Sequence, residues 1–422
     1  MNKLIEAFTR FAPKYLAQYG PRMPLGHQKA LLNFKECRTE KYGLLEETCP
    51  SCGLSEIKRG ACRNRACPKC NNSRTEEWIE SAKERLPNVP YYHLVFTVPS
   101  ELRYLARKNQ SVFYEKLMRA VGETMTAFGK STQWVEGKIG FMTVLHTWDS
   151  KLLFHPHVHV LMLGGFLDEK GKYVPIQREN VFPSRCLANR YKTILLKSLR
   201  NELDEKIPSH FWKLPFVVYM KKTFPGTGDV VSYLGRYIKR IGIGASRIEK
   251  VDKNGVEFKY RHRLNRETSE FRTMKVDGEE FMRRYLQHVL PKGFVRMRYY
   301  GLLHSHQADL LEKIKRENNE VRVEEKKEEE EPSLCKRCKV KKVKVRDIRP
   351  WWADARKKGW KFYIYKGEKG RSPEVKGRAP PYNNLFNPTE AGRHAFRFRE
   401  SRAGSAKSLL LRRRDFAPSP AG

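Results

Sequence analysis

The sequence predicts an α+β fold in which helices cover an antiparallel sheet. Two apolar runs have strand character, "IGFMTVLHTW" at 139–148 and "FHPHVHVLMLGGF" at 154–166, and only a few polar residues separate them. Runs that follow each other so closely favour an antiparallel pair. Helical spacing of apolar residues appears on both sides, at 112–128 and at 184–206. This mixture of elements is typical of helices packed on one sheet.

The other elements of this core follow in chain order. The run "YYHLVFTVP" at 91–99 has the composition of a strand that stops at a proline, and a helix follows it. A short strand is predicted for "LPFVVYMKK" at 214–222. The segment "DVVSYLGRYIKRIG" at 229–242 has helical spacing, with Asp229 as a candidate N-cap. The region 256–303 mixes strand-like and helical pieces.

Changes in composition divide the chain into four predicted parts. Residues 1–85 form a helical, cysteine-rich domain, and residues 86–305 contain the sheet. Residues 306–332 are a charged linker with almost nothing to bury. Residues 333–422 are a basic tail with 25 lysines and arginines against 7 acidic residues, a net charge of +18. Its basic and aromatic residues interleave, which suits binding to single-stranded nucleic acid, although a small packed subdomain or a disordered extension is an equal alternative.

The overall charge indicates the class of partner. The 422 residues carry a net charge of +37, and 40% of them are hydrophobic, enough for a buried core. Such an excess of positive charge favours a polyanionic partner, with nucleic acid as the leading candidate and an anionic membrane surface as the alternative. We recognise no secretion signal and no apolar run of about 18 residues, so we expect a soluble, cytoplasmic protein.

Cysteine spacing predicts a zinc site in the first domain. Six of the nine cysteines lie between residues 37 and 70, and they include Cys49-x-x-Cys52 and Cys67-x-x-Cys70. Two such pairs with a short spacer supply the four thiolates of a tetrahedral zinc site. In a cytoplasmic chain, metal binding is a better explanation of these cysteines than disulfides.

Two further cysteines in this region allow more than one interpretation. Cys37 and Cys62, with His27 nearby in sequence, could form a second zinc site. Alternatively they are small buried apolar residues, as free cysteines often are. Arg63 and Arg65 lie between the pairs, and we expect them to contact phosphate unless they are simply soluble surface.

Alternating histidines predict a second, different metal site. His155, His157 and His159 share one face of the predicted strand, because side chains alternate along a strand. His146 ends the preceding run, and an antiparallel hairpin would bring it beside that face. Three imidazoles from two strands can hold a divalent metal and leave positions open for a substrate.

A tyrosine pair supplies candidate nucleophiles. Tyr233 and Tyr237 are four residues apart, so a helix would place both phenols on one face. Arg236, Lys239 and Arg240 surround them and are candidate DNA-binding residues. A phenol with a pKa near 10 attacks a phosphodiester usefully only when cations or a metal assist it. The alternative is an aromatic pair packed in a core, and only the combination with the histidine strand and the positive charge favours catalysis.

Taken together, these blocks resemble a known family. "HPHVHVLMLGG" followed by "YLGRYIKR" resembles the two-tyrosine HUH transposases of insertion-sequence family ninety-one, where HUH denotes His, a hydrophobic residue and His, here His157-Val158-His159. "CRNRACPKC" is similar to the zinc-binding segment of that family. "YYHLVFTVP", "FVVYMKKTFPG" and "HVLPKGFVRMRYYGLL" resemble further blocks in the same order, over residues 25–305.

The resemblance implies a fold, a reaction and a set of site residues. The implied fold is α+β, with an RRM-like or palm-like antiparallel HUH core after an N-terminal zinc-binding unit and before the basic C-terminal extension. The implied activity is cleavage and rejoining of single-stranded DNA at the ends of the mobile element, through a 5′-phosphotyrosine intermediate. His157, His159 and, by analogy with related relaxases, His146 would hold Mg²⁺ or Mn²⁺. Tyr233 and Tyr237 would be the nucleophiles. Such a transposase would be prokaryotic and associated with the nucleoid; its oligomeric state is not implied.

Two departures and two alternatives accompany this resemblance. "YGLLEETC" lacks the histidine that often precedes the first cysteine pair of the family, and Cys335-x-x-Cys338 is a lone pair without a partner pair, so it is interpreted as a residual or optional metal site. An HUH replication initiator or relaxase is one alternative function. A zinc-ribbon nucleic-acid-binding protein without catalysis is the other.

Overall fold

The helices and strands are those of a computed structural model, which describes residues 2–203, 207–224, 226, 242–264, 268–318, 335–338 and 343–348. For 71–77, 223–224 and 343–348 only the backbone is described. The helices are α1 (Lys3–Tyr19), α2 (Leu25–Glu36), α3 (Asn71–Arg85), α4 (Arg103–Lys108), α5 (Gln110–Gly129), α6 (Ser184–Glu202), α7 (Gly278–Leu286) and α8 (Ala308–Asn318). The strands are β1 (Leu44–Thr48), β2 (Ser55–Arg59), β3 (Tyr91–Thr97), β4 (Lys138–Trp148), β5 (Phe154–Leu167), β6 (Tyr173–Pro175), β7 (Val218–Phe224), β8 (Ile248–Asp252), β9 (Gly255–Arg263), β10 (Ser269–Val276), β11 (Met297–Gly301) and β12 (Val343–Ile348).

A six-stranded antiparallel sheet forms the centre of the fold. Its strand order is β11-β4-β5-β3-β7, and β6 pairs with β5. The hairpin predicted from the two apolar runs is the β4–β5 pair, so that prediction is confirmed. The Asp149 carboxylate shapes its turn by accepting hydrogen bonds from the backbone N–H groups of Lys151 and Leu153. Pro156 is tolerated because it lies near the start of β5, where the register with β4 shifts.

Helices cover one face of the central sheet. Alternate residues of β3, β4 and β5 point to this face, among them Phe96, Leu145 and Val158, and each is buried. They pack against the apolar sides of α4, α5 and α6, where Phe113 and Leu195 are fully buried. The predicted α+β class with helices on an antiparallel sheet is therefore confirmed.

Within the described residues, apolar side chains cover the opposite face of the same sheet over only part of its length. Val144, Leu161 and Leu163 pack there with buried residues of α3 and α8, including Ala82 and Ile314. The remaining length of this face carries histidines. The alternation of β4 and β5 thus places the imidazoles where the apolar covering ends.

A second core unites the N-terminal helices with a separate three-stranded sheet. Helices α1 and α2 pack on α7 and on the sheet β10-β9-β8, and Phe8, Phe34 and Tyr285 meet there edge to face. Asp277 caps the N-terminus of α7, and its carboxylate accepts a hydrogen bond from the backbone N–H of Glu280. The N-terminal domain is therefore packed against elements that lie in the chain between β7 and β11 of the central sheet.

A third sheet, β12-β1-β2, joins the two ends of the described chain. Antiparallel pairing places Thr48 of β1 opposite Val343 of β12. The sequence pattern assigned residues 335–348 to the basic tail. In the structure, the described residues of this range, 335–338 and 343–348, belong to the cysteine-rich unit. Likewise α8 lies in the predicted linker, yet it buries Leu311 and Ile314 against the central sheet. Neither of these long-range contacts has a local sequence signal. Among the described helices, none is long and apolar enough to cross a membrane.

Candidate functional site

Three histidines converge on the partly covered face of the central sheet. The β4–β5 register places His146 directly opposite His157, and His159 lies one alternation further along β5. One ring nitrogen from each histidine lies within 4.8 Å of those from the other two. Because main-chain hydrogen bonds fix both strands, this convergence is built into the sheet.

Hydrogen bonds to the far sides of the rings define which nitrogens face the cluster. Nδ1 of His157 lies 2.7 Å from the backbone oxygen of His155. A carbonyl only accepts, so this nitrogen carries the proton and the lone pair of a neutral His157 is on Nε2. Nε2 of His157 lies 3.0 Å from Nε2 of His159, whose own Nδ1 lies 2.7 Å from Nε2 of His93. The Nε2 atoms of His157 and His159 therefore face the cluster, and the Nδ1 atom of each ring contacts a residue on its far side.

This geometry fits a divalent metal ion. In octahedral coordination, neighbouring ligands are at right angles to each other. If each ligand atom is about 2.1 Å from the ion, two neighbours are about 3.0 Å apart. The Nε2 atoms of His157 and His159 have this separation. Metal-binding histidines usually donate their second N–H to a carbonyl or another acceptor, as the contacts of His157 and His159 with His155 and His93 allow.

The electrostatics favour the metal-binding form of the imidazoles. Burial lowers the pKa of His157 to about 3 and the pKa of His93 to about 4. Burial, with the positive charge of neighbouring groups, also holds the pKa values of His146 and His159 well below their usual range. All four rings are thus neutral at physiological pH, and a neutral imidazole has a lone pair for a metal.

His155 shares the strand face but is not one of the three converging residues. Its Nδ1 lies 2.8 Å from a guanidinium nitrogen of Arg103, which can only donate, so Nδ1 is the acceptor. Burial, with the charge of Arg103 as the second cause, lowers the pKa of His155. The three alternating histidines of β5 therefore divide into two that face the cluster and one that pairs with an arginine.

A second arginine, Arg296, also lies close to the cluster. The indole of Trp148 stacks on His146 with ring centroids 4.8 Å apart, and the guanidinium of Arg296 lies 5.0 Å from the Trp148 ring centroid. Arg296 also donates to the backbone oxygen of Leu145. Burial and the charge of Arg65 lower the pKa of Arg296 to about 9, so it keeps its charge at neutral pH. Fixed cations beside a metal-binding cluster suit a phosphate-containing substrate.

Four cysteines of the N-terminal domain form one cluster. Cys37, Cys62, Cys67 and Cys70 place their sulfur atoms within 4.8 Å of one another. The Sγ atoms of Cys37 and Cys70 are 3.3 Å apart, and those of Cys62 and Cys70 are 3.6 Å apart. Zinc–sulfur bonds of about 2.3 Å in a tetrahedron give sulfur separations of about 3.8 Å, so the cluster fits zinc. His27 is not needed to complete it.

The other N-terminal cysteine pair belongs to a different cluster. Cys49 and Cys52 meet Cys335 and Cys338, again with all four sulfurs within 4.8 Å. The prediction that Cys49, Cys52, Cys67 and Cys70 share one zinc ion is therefore wrong, because each pair clusters with other cysteines. Cys49 and Cys52 lie in the turn between β1 and β2, whereas Cys67 and Cys70 follow β2. Cys335-x-x-Cys338 is likewise not isolated, since its partner pair lies at the other end of the described chain.

The predicted DNA-binding and nucleophilic residues are only partly described. Arg63 is exposed, in a left-handed backbone conformation with φ of 53°. Arg65 donates to the backbone oxygens of Phe294 and Pro291, so its guanidinium connects the zinc-binding unit to the segment before β11. Tyr233, Arg236, Tyr237, Lys239 and Arg240 lie outside the described residues.

Comparisons with known proteins place these sites in a family. A family model described as "Transposase zinc-binding domain" matches residues 7–98, and one described as "Putative transposase" matches residues 140–310. The "Putative transposase y4qJ" of Sinorhizobium fredii is 30% identical over 321 residues, which are 71% of this chain and 80% of the relative. The chain belongs to the IS91 family of transposases.

A second relative supports the same assignment. The "Transposase for insertion sequence element IS801" of Pseudomonas savastanoi pv. phaseolicola is 28% identical to this transposase over 287 residues, 63% of this chain and 68% of the relative. The resemblance drawn from the histidine, tyrosine and cysteine blocks is confirmed at the level of family and zinc-binding domain. Among solved structures, a bacterial tRNA(His) guanylyltransferase-like protein aligns with a TM-score of 0.21 and 10% identity over 52% of this chain and 98% of that one, which establishes no shared fold.

The structure adds residues to the site that the sequence patterns did not identify. His93 could have been suspected, because it is a single imidazole in the apolar run "YYHLVFTVP". Arg103 and Arg296 have no comparable signal, since arginines are common throughout this basic chain. Cys335 and Cys338 were noticed, but their spacing does not reveal which pair they meet.

Proposed function

We propose that this transposase cleaves and rejoins single-stranded DNA through a 5′-phosphotyrosine intermediate, at a divalent metal ion held by His146, His157 and His159. Tyr233 and Tyr237 are the proposed nucleophiles. The observation that carries the proposal is the convergence of the three histidines, in which the Nδ1 atoms of His157 and His159 are held by His155 and His93 and their Nε2 atoms lie 3.0 Å apart. Transposases must break and join DNA strands, and this cluster is suited to that task.

The proposed first step makes one bond and breaks another. A bound Mg²⁺ or Mn²⁺ would polarise the scissile phosphodiester and stabilise the charge that develops on it. The phenolic oxygen of Tyr233 or Tyr237 attacks the phosphorus, the bond from phosphorus to the 3′ oxygen breaks, and the phenolic proton ends on that oxygen. The products are a 5′-phosphotyrosine and a free 3′ hydroxyl. Arg103 and Arg296 supply fixed positive charge for the phosphate, because both guanidinium groups lie beside the histidines.

The described residues on each side of the tyrosine segment are compatible with this role. Phe224 ends β7, which is separated from the histidine strand β5 by β3 alone. Tyr233 is nine residues further on, and nine residues can span about 30 Å, whereas two strand spacings are about 10 Å. On the other side of the tyrosine segment, Gly242 lies close to the β4–β5 turn. A Cβ added to it would lie 2.5 Å from the side chain of Leu152 in that turn and 3.5 Å from the ring of His288. Chain length therefore allows either phenol to reach the cluster.

The proposed substrate is a single strand at the end of the mobile element. Positive charge of +37 favours phosphate contacts throughout the surface, and affinity should fall steeply with salt as counterions are released. The aromatic and basic residues of the tail are suited to stacking on unpaired bases. Arg63, which is exposed beside the first cysteine cluster, is a proposed phosphate contact, and the same role is proposed for Arg236, Lys239 and Arg240.

A covalent-capture assay tests the mechanism. The full-length transposase would be incubated with Mn²⁺ and single-stranded oligonucleotides from the ends of its element, then denatured in SDS. We expect a protein–DNA adduct that disappears with EDTA, with Tyr233→Phe plus Tyr237→Phe, and with His157→Ala. The tyrosine double variant should still bind the oligonucleotide, since it keeps the basic residues.

The same assay separates the alternatives. A zinc-ribbon protein without catalysis predicts no adduct in any variant, and that result would overturn the mechanism. Persistence of the adduct in the tyrosine double variant would assign the nucleophile elsewhere. Family membership favours transposition over plasmid replication or conjugation, and integration of a marked element in cells would distinguish them.

A further inference from the structure

The second cysteine cluster joins segments that are almost three hundred residues apart. Cys49 and Cys52 lie in the turn between β1 and β2, whereas Cys335 and Cys338 lie in a turn before β12. We propose that these four thiolates bind a second zinc ion, which closes a zinc ribbon made from both ends of the described chain. The family matches end at residues 98 and 310, so neither includes the C-terminal half of this site.

Sulfur positions in the cluster fit a tetrahedral ion. The Sγ atom of Cys338 lies 3.3 Å from that of Cys49 and 3.7 Å from that of Cys52, and the Sγ atoms of Cys52 and Cys335 are 3.5 Å apart. A zinc tetrathiolate requires about 3.8 Å, whereas a disulfide requires about 2.05 Å. All four cysteines are free thiols. Four thiolates without a hard oxygen ligand select a soft or borderline ion, for which zinc is the structural choice.

Backbone pairing independently brings the two cysteine pairs to the same end of a sheet. Thr48 immediately precedes Cys49, and it pairs with Val343, which follows Cys338 by five residues. The pairing continues to Leu44 and Ile348 at the other end. An ion pair between Lys336 and Glu56 of β2 links the same two segments, at 3.4 Å. The cluster is therefore supported by pairing along the whole of β1, with one register shift between Glu46 and Glu47, and not by a single close approach.

The small sheet also needs a source of stability other than an apolar core. Four of the five β2 residues are exposed, and the Ile57 side chain is 62% exposed. A sheet of three short strands in which β2 buries so little is marginal in water unless another interaction fixes it. A structural zinc ion supplies that free energy in small ribbons of this kind. Cys49 and Cys335 are buried at the cluster, which protects their zinc bonds from water.

Zinc stoichiometry tests the proposal on the full-length transposase. The protein would be purified with a reductant, and its zinc content measured by native mass spectrometry and elemental analysis. We expect two zinc ions per chain in the wild type and one in Cys335→Ser plus Cys338→Ser. The control is Cys186→Ser, an exposed cysteine of α6 that belongs to neither cluster, and it should keep two.

Hydrogen exchange supplies a readout that does not depend on metal analysis. In the double variant, amides of residues 44–48 should lose protection, whereas amides of β3, β4 and β5 should keep it. A wild-type chain with one zinc ion, or with iron in this cluster, overturns the proposal, as does a double variant that keeps two zinc ions. The count requires no DNA cleavage, so its failure is distinct from a failure of the phosphotyrosine mechanism.

Discussion

Replacing His93 with leucine tests whether the site depends on the orientation of His159. Nε2 of His93 lies 2.7 Å from Nδ1 of His159, and His93 is only 7% exposed. Leucine has no ring nitrogen to bond to His159, and its apolar side chain is suited to this buried position. A hydrogen bond of this kind is worth about 1 kcal/mol, and loss of such a contact behind a metal ligand lowers metal affinity by about 10- to 100-fold. We therefore expect Mn²⁺ to bind about tenfold more weakly, or worse.

Isothermal titration of Mn²⁺ into the zinc-loaded protein measures this change. The matched control is His306→Leu, the same substitution at an exposed histidine before α8, and its affinity should equal that of the wild type. Circular dichroism and zinc content would establish that both variants are folded. Wild-type Mn²⁺ affinity in the His93 variant would refute the view that this imidazole orients His159.

Four further substitutions test other parts of the structure. His155→Ala should change the Mn²⁺ affinity measured in the same titration by less than threefold, which is about 0.6 kcal/mol. The reason is that the His155 ring bonds to Arg103 and not to the cluster. Two neighbouring arginines lower the pKa of Glu280 to about 2, so its ion pairs stabilise the fold above its usual pKa of 4.5 and are lost as pH falls towards 2. Glu280→Gln should cost about 1 kcal/mol in urea unfolding at pH 7, and the difference should shrink at pH 3. Gly164→Ala should destabilise the protein by about 1–3 kcal/mol in thermal unfolding, because the new Cβ would lie 2.5 Å from the backbone oxygen of Pro90. Gly26→Ala has open space in α2, so it should stabilise the protein by up to about 1 kcal/mol.

Local patterns in the sequence predicted the central hairpin and the histidine face. Alternation along a strand determines which side chains share a face, so the position of His146 beside His157 and His159 follows once the two runs pair. The same rule could not separate His155 from its neighbours on that face. Its pairing with Arg103 depends on how α4 packs over the end of β5, which no local pattern encodes.

The cysteines show where local spacing ceases to be informative. A C-x-x-C turn presents two thiolates, but the spacing says nothing about which other pair completes the tetrahedron. Proximity in sequence favoured one site from Cys49, Cys52, Cys67 and Cys70, but the first pair lies in the turn of the β1–β2 hairpin and the second pair follows β2. The pairing of β1 with β12 is a contact across most of the chain, and its signal is divided between two short segments.

The pairing of β1 with β12 imposes an order on how the protein is made. All the cluster partners of Cys37 are synthesised within the next 33 residues of the chain. Two partners of Cys52, at residues 335 and 338, are synthesised much later. At roughly 5–20 residues per second, that delay is roughly 15–60 seconds. A chain whose translation stops early can therefore build its first cysteine cluster and its histidine hairpin, yet can never complete the β12-β1-β2 sheet. Assembly of this sheet reports that synthesis has passed the last of these strands.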